Sequence, residues 1–515
     1  MAIVTVVCGS KQKQCTVAEG SRLDAALHEL QAAPSMPCGG NHTCGKCHVR
    51  VNGMVSEMDE TEKRFLTQSE IADGIRLACF ATVLGDCTVY QQEDAVQTLS
   101  WARLPAFSKD IGGKGMAIDV GTTTIAARLY DCADGTILGE MLEGNRQAPY
   151  GADVITRIDA AGNGHRNDLH NSVLTQLTEM TQNCMKQAGI SSIDRAVVTG
   201  NTTMLHFYED LDASGIAVVP FTPTSLFGMQ SAYSICGAET YLPHCIGSYV
   251  GADIVCAILA SGMLQHPEQL SLLADLGTNG EIALYQNGKL YCCSTAAGPA
   301  FEGAGLHQGM RAAKGAITAV TLNEEQKVEL NILGDGEAVG ICGSGILDAL
   351  RVMLELEIID ETGMIDDEYE GEGEITEWND QPAWKLPNTQ VLITQKDIRQ
   401  IQLAKSAICA GIRTLLDHIG VEPEEVDAFY VAGGFGHSMD PQSAAAIGLF
   451  PQELLDAVQV IGNGALGGAS MLLMSKQARE QAQHIIAVSE ELSLSKSPEF
   501  MDFYVDGMLF GEEEA

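Results

Sequence analysis

Three cysteines crowd the stretch Pro37-Cys38-Gly39-Gly40-Asn41-His42-Thr43-Cys44-Gly45-Lys46-Cys47, and a fourth, Cys79, follows after 31 intervening residues. Four thiolates spaced C-x5-C-x2-C with one distant partner can enclose a metal centre. Gly39, Gly40 and Gly45 let the backbone curl around it. Amides of such a loop can point at the inorganic sulfides of an iron–sulfur cluster and so tune its potential. Zinc is the alternative occupant, but structural zinc sites pair two short knuckles, and here the last cysteine stands alone. His42 and His48 do not fit the arrangement in which histidines replace two of the cysteines; they read as exposed loop and strand residues.

A second set of residues points to phosphate. Met116-Ala117-Ile118-Asp119-Val120-Gly121-Thr122-Thr123-Thr124 returns 156 residues later as Leu272-Leu273-Ala274-Asp275-Leu276-Gly277-Thr278-Asn279-Gly280. Each copy is an apolar strand ending in Asp, then a Gly-Thr turn into a second strand. Gly permits the reversal, Thr hydroxyls and backbone N–H groups can cradle phosphate oxygens, and each Asp can hold Mg²⁺ directly or through water. Ala196-Val197-Val198-Thr199-Gly200-Asn201 corresponds in the same way to Phe429-Tyr430-Val431-Ala432-Gly433-Gly434. Two similar α/β lobes with a ligand crevice between them are therefore expected. No G-x-x-x-x-G-K-[ST] occurs, so a P-loop is not the means of holding phosphate. Gly462-Asn463-Gly464-Ala465-Leu466-Gly467 fits G-x-G-x-x-G after the strand Val458 to Ile461, but no βαβ unit follows. A helix start packed closely on a neighbouring lobe explains those glycines as well as a dinucleotide does.

Residues 1–90 read as one small domain. Ile3 to Cys8 and Cys15 to Val17 form a hairpin. Ser21 caps a helix through about Ala32 with Leu23, Ala26, Leu27 and Leu30 on one face. The cysteine loop is followed by a strand from His48 to Val51, a turn at Asn52-Gly53, an acidic helical stretch, and a closing strand from Cys87 to Tyr90. Residues 91–114 read as a flexible linker. The two lobes occupy 115–270 and 271–505. The second contains an insertion over about 355–380 with 12 acidic residues and no Lys or Arg, expected to be solvated and partly mobile, or else a docking surface. Residues 506–515 read as an acidic, frayed tail.

The cysteine pattern resembles the [2Fe-2S] ferredoxins, nearer the subgroup with five residues in the first gap than the plant form with four. The paired Asp-x-Gly-Thr turns resemble the acetate and sugar kinase/heat-shock chaperone ATPase/actin superfamily. Together these imply an α+β β-grasp ferredoxin domain, then an α/β duplicated, ribonuclease-H-like, actin-like ATPase of two lobes. By that resemblance Cys38, Cys44, Cys47 and Cys79 ligate a [2Fe-2S] cluster. Asp119 and Asp275 organise Mg²⁺ and the attacking water. Thr122, Thr123, Gly277, Thr278 and Asn279 hold the phosphates of ATP, within motifs Asp119 to Thr124 and Asp275 to Glu281. Gly433 and Gly434, in Val431 to Gly436, meet the adenosine; Gly462 to Gly468 opens a connecting helix at the hinge. Gly340 to Gly345 opens another helix that offers a further nucleotide contact.

Composition narrows the setting. The 515 residues carry a net charge of −38, with 68 acidic against 30 basic residues, which argues against nucleic acid or an anionic membrane as partner. No apolar run approaches the ~18 residues of a membrane span, and the N-terminus reads as a strand, not a signal peptide. Sixteen cysteines without a secretory signal point to a reducing cytoplasm; the twelve beyond the centre, Cys292-Cys293 included, read as small buried hydrophobes. So many thiols with an exposed cluster suit an anaerobic cell.

A ferredoxin domain, a tether and an ATPase of this superfamily, in that order, resemble the reductive activators of corrinoid proteins. The segment Ala297-Gly298-Pro299-Ala300-Phe301-Glu302-Gly303-Ala304 adds to the resemblance. It implies ATP-dependent reduction of Co(II) to Co(I), with a corrinoid (cobalamin-binding) protein of a methyltransferase system and a low-potential electron donor as partners; a homodimer is compatible with it. The family's longer members carry a further domain between tether and ATPase, for which this chain has almost no room. Two other readings use the same parts: a small-molecule kinase with an accessory redox domain, and a nucleotide-binding iron–sulfur redox sensor. A dehydratase-type activator, with its cluster shared across a dimer, does not match the fused domain.

Overall fold

The computed structural model describes residues 1–8, 11–30, 47–66, 68–91, 104–334, 336–434 and 439–511, with single residues between 32 and 45. Cys38, Cys44, Phe435 and Gly436 lie outside the described residues, as do 92–103 and 512–515.

The N-terminal sheet contains β1 (Ala2–Cys8), β2 (Lys11–Val17), β3 (His48–Val55), β4 (Ile75–Leu77) and β5 (Val83–Gln91), in the order β2-β1-β5-β3-β4. β1 and β5 run parallel at its centre, the β-grasp arrangement. Val4, Val6 and Val89 point inward with the period of two expected of a half-buried strand, against Leu23, Ala26 and Leu27 of the helix Leu23–Glu29. That helix starts later than the Ser21 cap predicted: Arg22 still bridges Thr82 across the sheet, so the chain is extended up to that residue. The predicted turn at Asn52-Gly53 is instead a bulge within β3. Gly53 has φ +128° and lies against β5, where a Cβ would come 2.6 Å from Asp86 O.

Two six-stranded sheets follow. The first holds β6 (Lys114–Val120), β7 (Thr124–Asp131), β8 (Thr136–Gly144), β9 (Arg195–Gly200), β10 (Phe227–Gln230) and β11 (Glu239–His244), in the order β10-β11-β9-β6-β7-β8. The second begins with β12 (Ser271–Leu276), β13 (Gly280–Gln286) and β14 (Lys289–Thr295). Two small sheets come next in the chain: β15 (Ala316–Leu322), β16 (Val328–Ile332) and β17 (Gly340–Ile341), then β18 (Glu374–Trp378), β19 (Gln381–Lys385) and β20 (Leu392–Thr394). The large sheet is completed by β21 (Ala428–Ala432), β22 (Val458–Gly462) and β23 (Ser489–Glu491), giving β22-β21-β12-β13-β14-β23.

Laying β6, β7, β8, β9 and β11 over β12, β13, β14, β21 and β22 reproduces the same order and the same directions: three antiparallel strands, then two parallel additions. The duplication seen in sequence is thus a duplication of topology. Central strands are covered on both faces, which is why Met116, Ala117, Ile118, Leu272, Leu273 and Ala274 are all fully buried. Helices Ala252–Ser261 and Gly464–Met474 pack between the two sheets, within one apolar core that draws on both lobes.

Three expectations change. Residues 104–113, read as flexible linker, are fastened to the body: Asp110 N and Ile111 N donate to Met474 O at 3.1 and 3.0 Å, and Leu104 and Phe107 pack on the core. The acidic stretch 355–380 is folded, because Ile358, Ile359 and Ile365 are buried and β18 pairs with β19 while its carboxylates face out. In the tail, Phe510 is buried; Gln402 Nε2 donates to Met508 O at 2.7 Å, and Lys405 Nζ donates to Gly507 O at 2.7 Å and to Leu509 O. Among the described residues no helix is long and apolar enough to cross a membrane.

Candidate nucleotide crevice and cluster site

Each phosphate turn closes on itself through a bond from its glycine N–H, to the third residue on in the first turn and to the second residue on in the second. Gly121 N donates to Thr124 O at 3.0 Å, and Gly277 N to Asn279 O at 3.1 Å. The two turns meet: Thr123 Oγ1 and Thr278 Oγ1 are 3.2 Å apart, one from each lobe. Thr278 Oγ1 also donates to Glu302 Oε1 at 2.8 Å. Thr122 Oγ1 accepts from Asn201 Nδ2 at 3.1 Å, and Thr122 O accepts from the buried Arg157 Nη2 at 2.6 Å. Arg311, from the second lobe, donates Nη2 to Thr123 O at 3.2 Å. Gly433, with φ +101°, sits where a Cβ would come 2.5 Å from Leu276 O and 2.9 Å from Asp275 Oδ1, so only glycine lets β21 end this close to the second turn. Gly434 is exposed, and among the described residues nothing lies within 4 Å of a Cβ placed there.

Four carboxylates line this crevice, and they repel one another. Asp119, Asp253 and Asp275 are half-buried, with protein close around them. Burial raises the Asp119 pKa to about 6, against a bond from Asn463 Nδ2 at 3.0 Å. Burial and then the charge of Asp119 raise Asp253 to about 7. Asp275 is pushed to about 8 by burial, then by Asp253 and Asp119. Burial, Asp253 and Asp275 hold Glu281 well above the usual carboxylate range. Such a cluster favours a divalent cation, which removes the repulsion. Among the described residues no three His, Cys, Asp or Glu side chains converge as a ready-made cage. The donor set therefore fits Mg²⁺ held by one or two carboxylates together with water and phosphate oxygens.

Asp253 and Asn463 escaped the sequence reading as site residues, although each leaves a trace. Asp253 is the single charged residue of Ala252–Ser261, placed in the first turn of an otherwise apolar helix. Asn463 caps Gly464–Met474 by accepting from Leu466 N at 2.7 Å, and its amide reaches Asp119. The glycines around it serve helix packing: a Cβ at Gly468 would come 2.0 Å from Cys256 O, and one at Gly464 3.2 Å from Ala257 Cα. Gly345 is likewise used in packing, 2.4 Å from Ile317 O if given a Cβ.

In the N-terminal domain Cys47 and Cys79 are buried with Sγ atoms 3.3 Å apart, brought together from the loop before β3 and the turn after β4. Cys79 N donates to Cys47 Sγ at 3.5 Å, the kind of amide-to-sulfur contact that a cluster site uses. His42 is exposed, with a ring nitrogen 2.9 Å from Cys79 O and its ring stacked on Phe80. Gly45 has φ +62° and lies where a Cβ would come 2.5 Å from Phe65 Cδ1. Arg22 donates to Gly40 O at 3.1 Å; its pKa is raised, first by the bond to Asp24 and less by Cys79 and Cys47. A buried thiol pair with an amide on sulfur and a cation nearby fits an iron–sulfur cluster; the other two expected ligands, Cys38 and Cys44, fall outside the described residues.

Comparison with known proteins follows the same division. Residues 6–84 match the 2Fe-2S iron–sulfur cluster binding domain, 114–266 the RACo middle region, and 269–515 the C-terminal domain of RACo, the ASKHA domain. The chain is 33% identical over 437 residues to the corrinoid activation enzyme RamQ of Eubacterium limosum, covering 79% of this chain and 72% of that one. It belongs to the reductive activators of corrinoid proteins. It is also 26% identical to a [Co(II) methylated amine-specific corrinoid protein] reductase of Methanosarcina barkeri, over 76% of each chain. A solved reductive activator for a corrinoid, iron–sulfur protein superposes with a TM-score of 0.71 at 29% identity, covering 99% of this chain and 98% of that one. The stretch expected to be the first ATPase lobe is thus what this family carries as its middle region.

Proposed function

We propose that this activator returns the cobalt of a partner corrinoid protein from Co(II) to Co(I), using one electron delivered through its N-terminal domain and the closure of its two lobes on MgATP. The observation that carries the reading is the meeting of the two phosphate turns, Thr123 against Thr278, above a cluster of repelling carboxylates, in a chain that also pairs Cys47 with Cys79. When held by Cys38, Cys44, Cys47 and Cys79, a [2Fe-2S] cluster supplies electrons one at a time. Thr122, Thr123, Gly277, Thr278 and Asn279 hold phosphate oxygens. Asp119 and Asp275, beside Asp253 and Glu281, would hold Mg²⁺ directly or through water, and the ion would supply the positive charge that orients the attacking water. Gly433 and Gly434 give the nucleotide base close access to the backbone.

Why should ATP be needed? Co(I) is a strong reductant, so the transfer runs uphill from such a cluster. Each ~59 mV is a tenfold change in equilibrium constant for one electron, so a gap of a few hundred millivolts amounts to several kcal/mol. Lobe closure offsets it by binding the Co(II) protein better in a conformation with a weakened cobalt ligand, since differential affinity for two states is what shifts an equilibrium. The donor is a low-potential carrier, and the setting is the reducing cytoplasm. The test is anaerobic: reduced protein is mixed with Co(II) corrinoid protein, with and without MgATP. Co(I) absorbance that rises with ATP supports the reading; ADP appearing with a phosphorylated metabolite and no Co(I) replaces it with a kinase.

A further inference from the structure

Between the first phosphate turn and the N-terminal domain runs a short chain of contacts that the reaction as described does not use. Arg157 is buried, and it joins two backbone segments: Nη2 donates to Thr122 O at 2.6 Å and Nε donates to Gly151 O at 2.9 Å. Its other oxygen acceptor is Gln147 Oε1 at 3.4 Å, so all three oxygens are uncharged. The same loop is tied to the phosphate turn a second time, by Asn145 Nδ2 donating to Gly121 O at 2.8 Å. Gly151 ends the turn Ala148–Tyr150. The Tyr150 ring meets His28 of the N-terminal domain edge-on, centroids 5.8 Å apart, and also meets His165 at 5.5 Å, whose charge acts on His28 as well. His165 is in turn held by Asp168, Nδ1 to Oδ2 2.9 Å.

His28 closes the last turn of Leu23–Glu29, and Arg22, which contacts the cysteine loop through Gly40 O, stands at the first. That seven-residue helix is about 10 Å long at 1.5 Å per residue. One end of it therefore touches the cluster loop and the other touches the ATPase.

We propose that Tyr150 is a seat for the N-terminal domain and that phosphate on the 119–124 turn loosens it, with Arg157 as the positioning residue that carries the signal. A buried guanidinium whose hydrogen-bond acceptors are all neutral, and which has only the more distant charge of Asp153 acting on it, gains from a further anion brought near it. Nucleotide phosphates on Thr122 and Thr123 draw Arg157 toward the turn and weaken its hold on Gly151 O. The Ala148–Tyr150 turn then relaxes, and the N-terminal domain leaves for the partner. ATP thereby acts on the electron carrier as well as on the lobes. The inference rests on the nucleotide crevice proposed above.

The test uses hydrogen–deuterium exchange on the full-length protein, with MgATP binding measured calorimetrically on the same samples. In the wild type, MgATP raises exchange over residues 23–30 and 145–151 by about fivefold, the factor expected when one aromatic pair is lost. Tyr150→Ala and His28→Ala show the raised exchange over 23–30 without nucleotide and no further rise with it, and because the coupling is reciprocal they bind MgATP up to about fivefold more tightly than the wild type. Tyr150→Phe, which keeps the ring, keeps the wild-type response. MgATP that binds without changing either segment, or a Tyr150→Ala protein that still responds, overturns the inference and leaves the nucleotide crevice standing. Absence of MgATP binding overturns both.

Discussion

Asp275→Asn separates the charge of the crevice from its shape. The folded protein holds a proton on Asp275 up to about pH 8, whereas the ordinary value is 3.8. At pH 7 that difference weakens folding by about 4 kcal/mol, at ~1.4 kcal/mol per pH unit between the two ionisations. Asparagine has the same shape and no charge, so the metal-free variant is more stable than the wild type by that order. At roughly 2 °C per kcal/mol for a lobe-sized unit, its Tm in EDTA rises by about 8 °C. The gain comes with a loss, because the site no longer completes the cation's charge balance, and ATP hydrolysis falls by ~100-fold or more. Thermal scans in EDTA and a phosphate-release assay read the two effects, and the visible spectrum of the N-terminal domain stays as in the wild type. A Tm at or below wild type in EDTA, or undiminished hydrolysis, refutes the reasoning that Asp275 is a strained carboxylate waiting for a cation.

Other outcomes follow from the same geometry. Cys79→Ser removes one of the paired thiols; the variant loses iron and sulfide in chemical analysis and keeps its ATP hydrolysis. Gly468→Ala brings a Cβ to 2.0 Å from Cys256 O, so the variant loses about 3 kcal/mol in urea unfolding. The metal-free protein loses stability as the solution becomes more alkaline. Asp119, Asp253 and Asp275 have folded pKa values raised to about 6, 7 and 8, so the stability they contribute is complete below about pH 4 and is lost on passing upward through those values. Saturating Mg²⁺ and ADP flatten that fall, which thermal scans between about pH 5 and pH 9 detect.

The duplication was legible because its signals are local. A strand covered on both faces needs an unbroken apolar run such as Leu272-Leu273-Ala274, and the Gly-Thr reversal after it has few substitutes. The same holds for the β-grasp pattern up to Cys79. What stayed hidden depends on residues distant in sequence. Arg157 and Thr122 are 35 positions apart, and Asn463 reaches Asp119 across 344. Asn52-Gly53 has the composition of a hairpin turn, and only the register against β5 shows that the glycine is needed for a bulge. Residues 104–113 lack a periodic pattern because they lie on the body as an irregular strap, held by backbone bonds to Met474 that no side-chain pattern records. Asp253 was masked by its setting: one acid opening an apolar helix reads as a helix-start residue, until the strand ends bring Asp119 and Asp275 beside it.

The most direct test of the coupling is a single-turnover experiment in anaerobic stopped flow. The reduced activator, at one electron per chain, is mixed with an equal amount of Co(II) corrinoid protein and the iron–sulfur and Co(I) absorbances are followed together. Oxidation of the activator and formation of Co(I) should proceed in step, one for one, with MgATP and fail without it. Equal Co(I) yield in the absence of nucleotide would contradict the account.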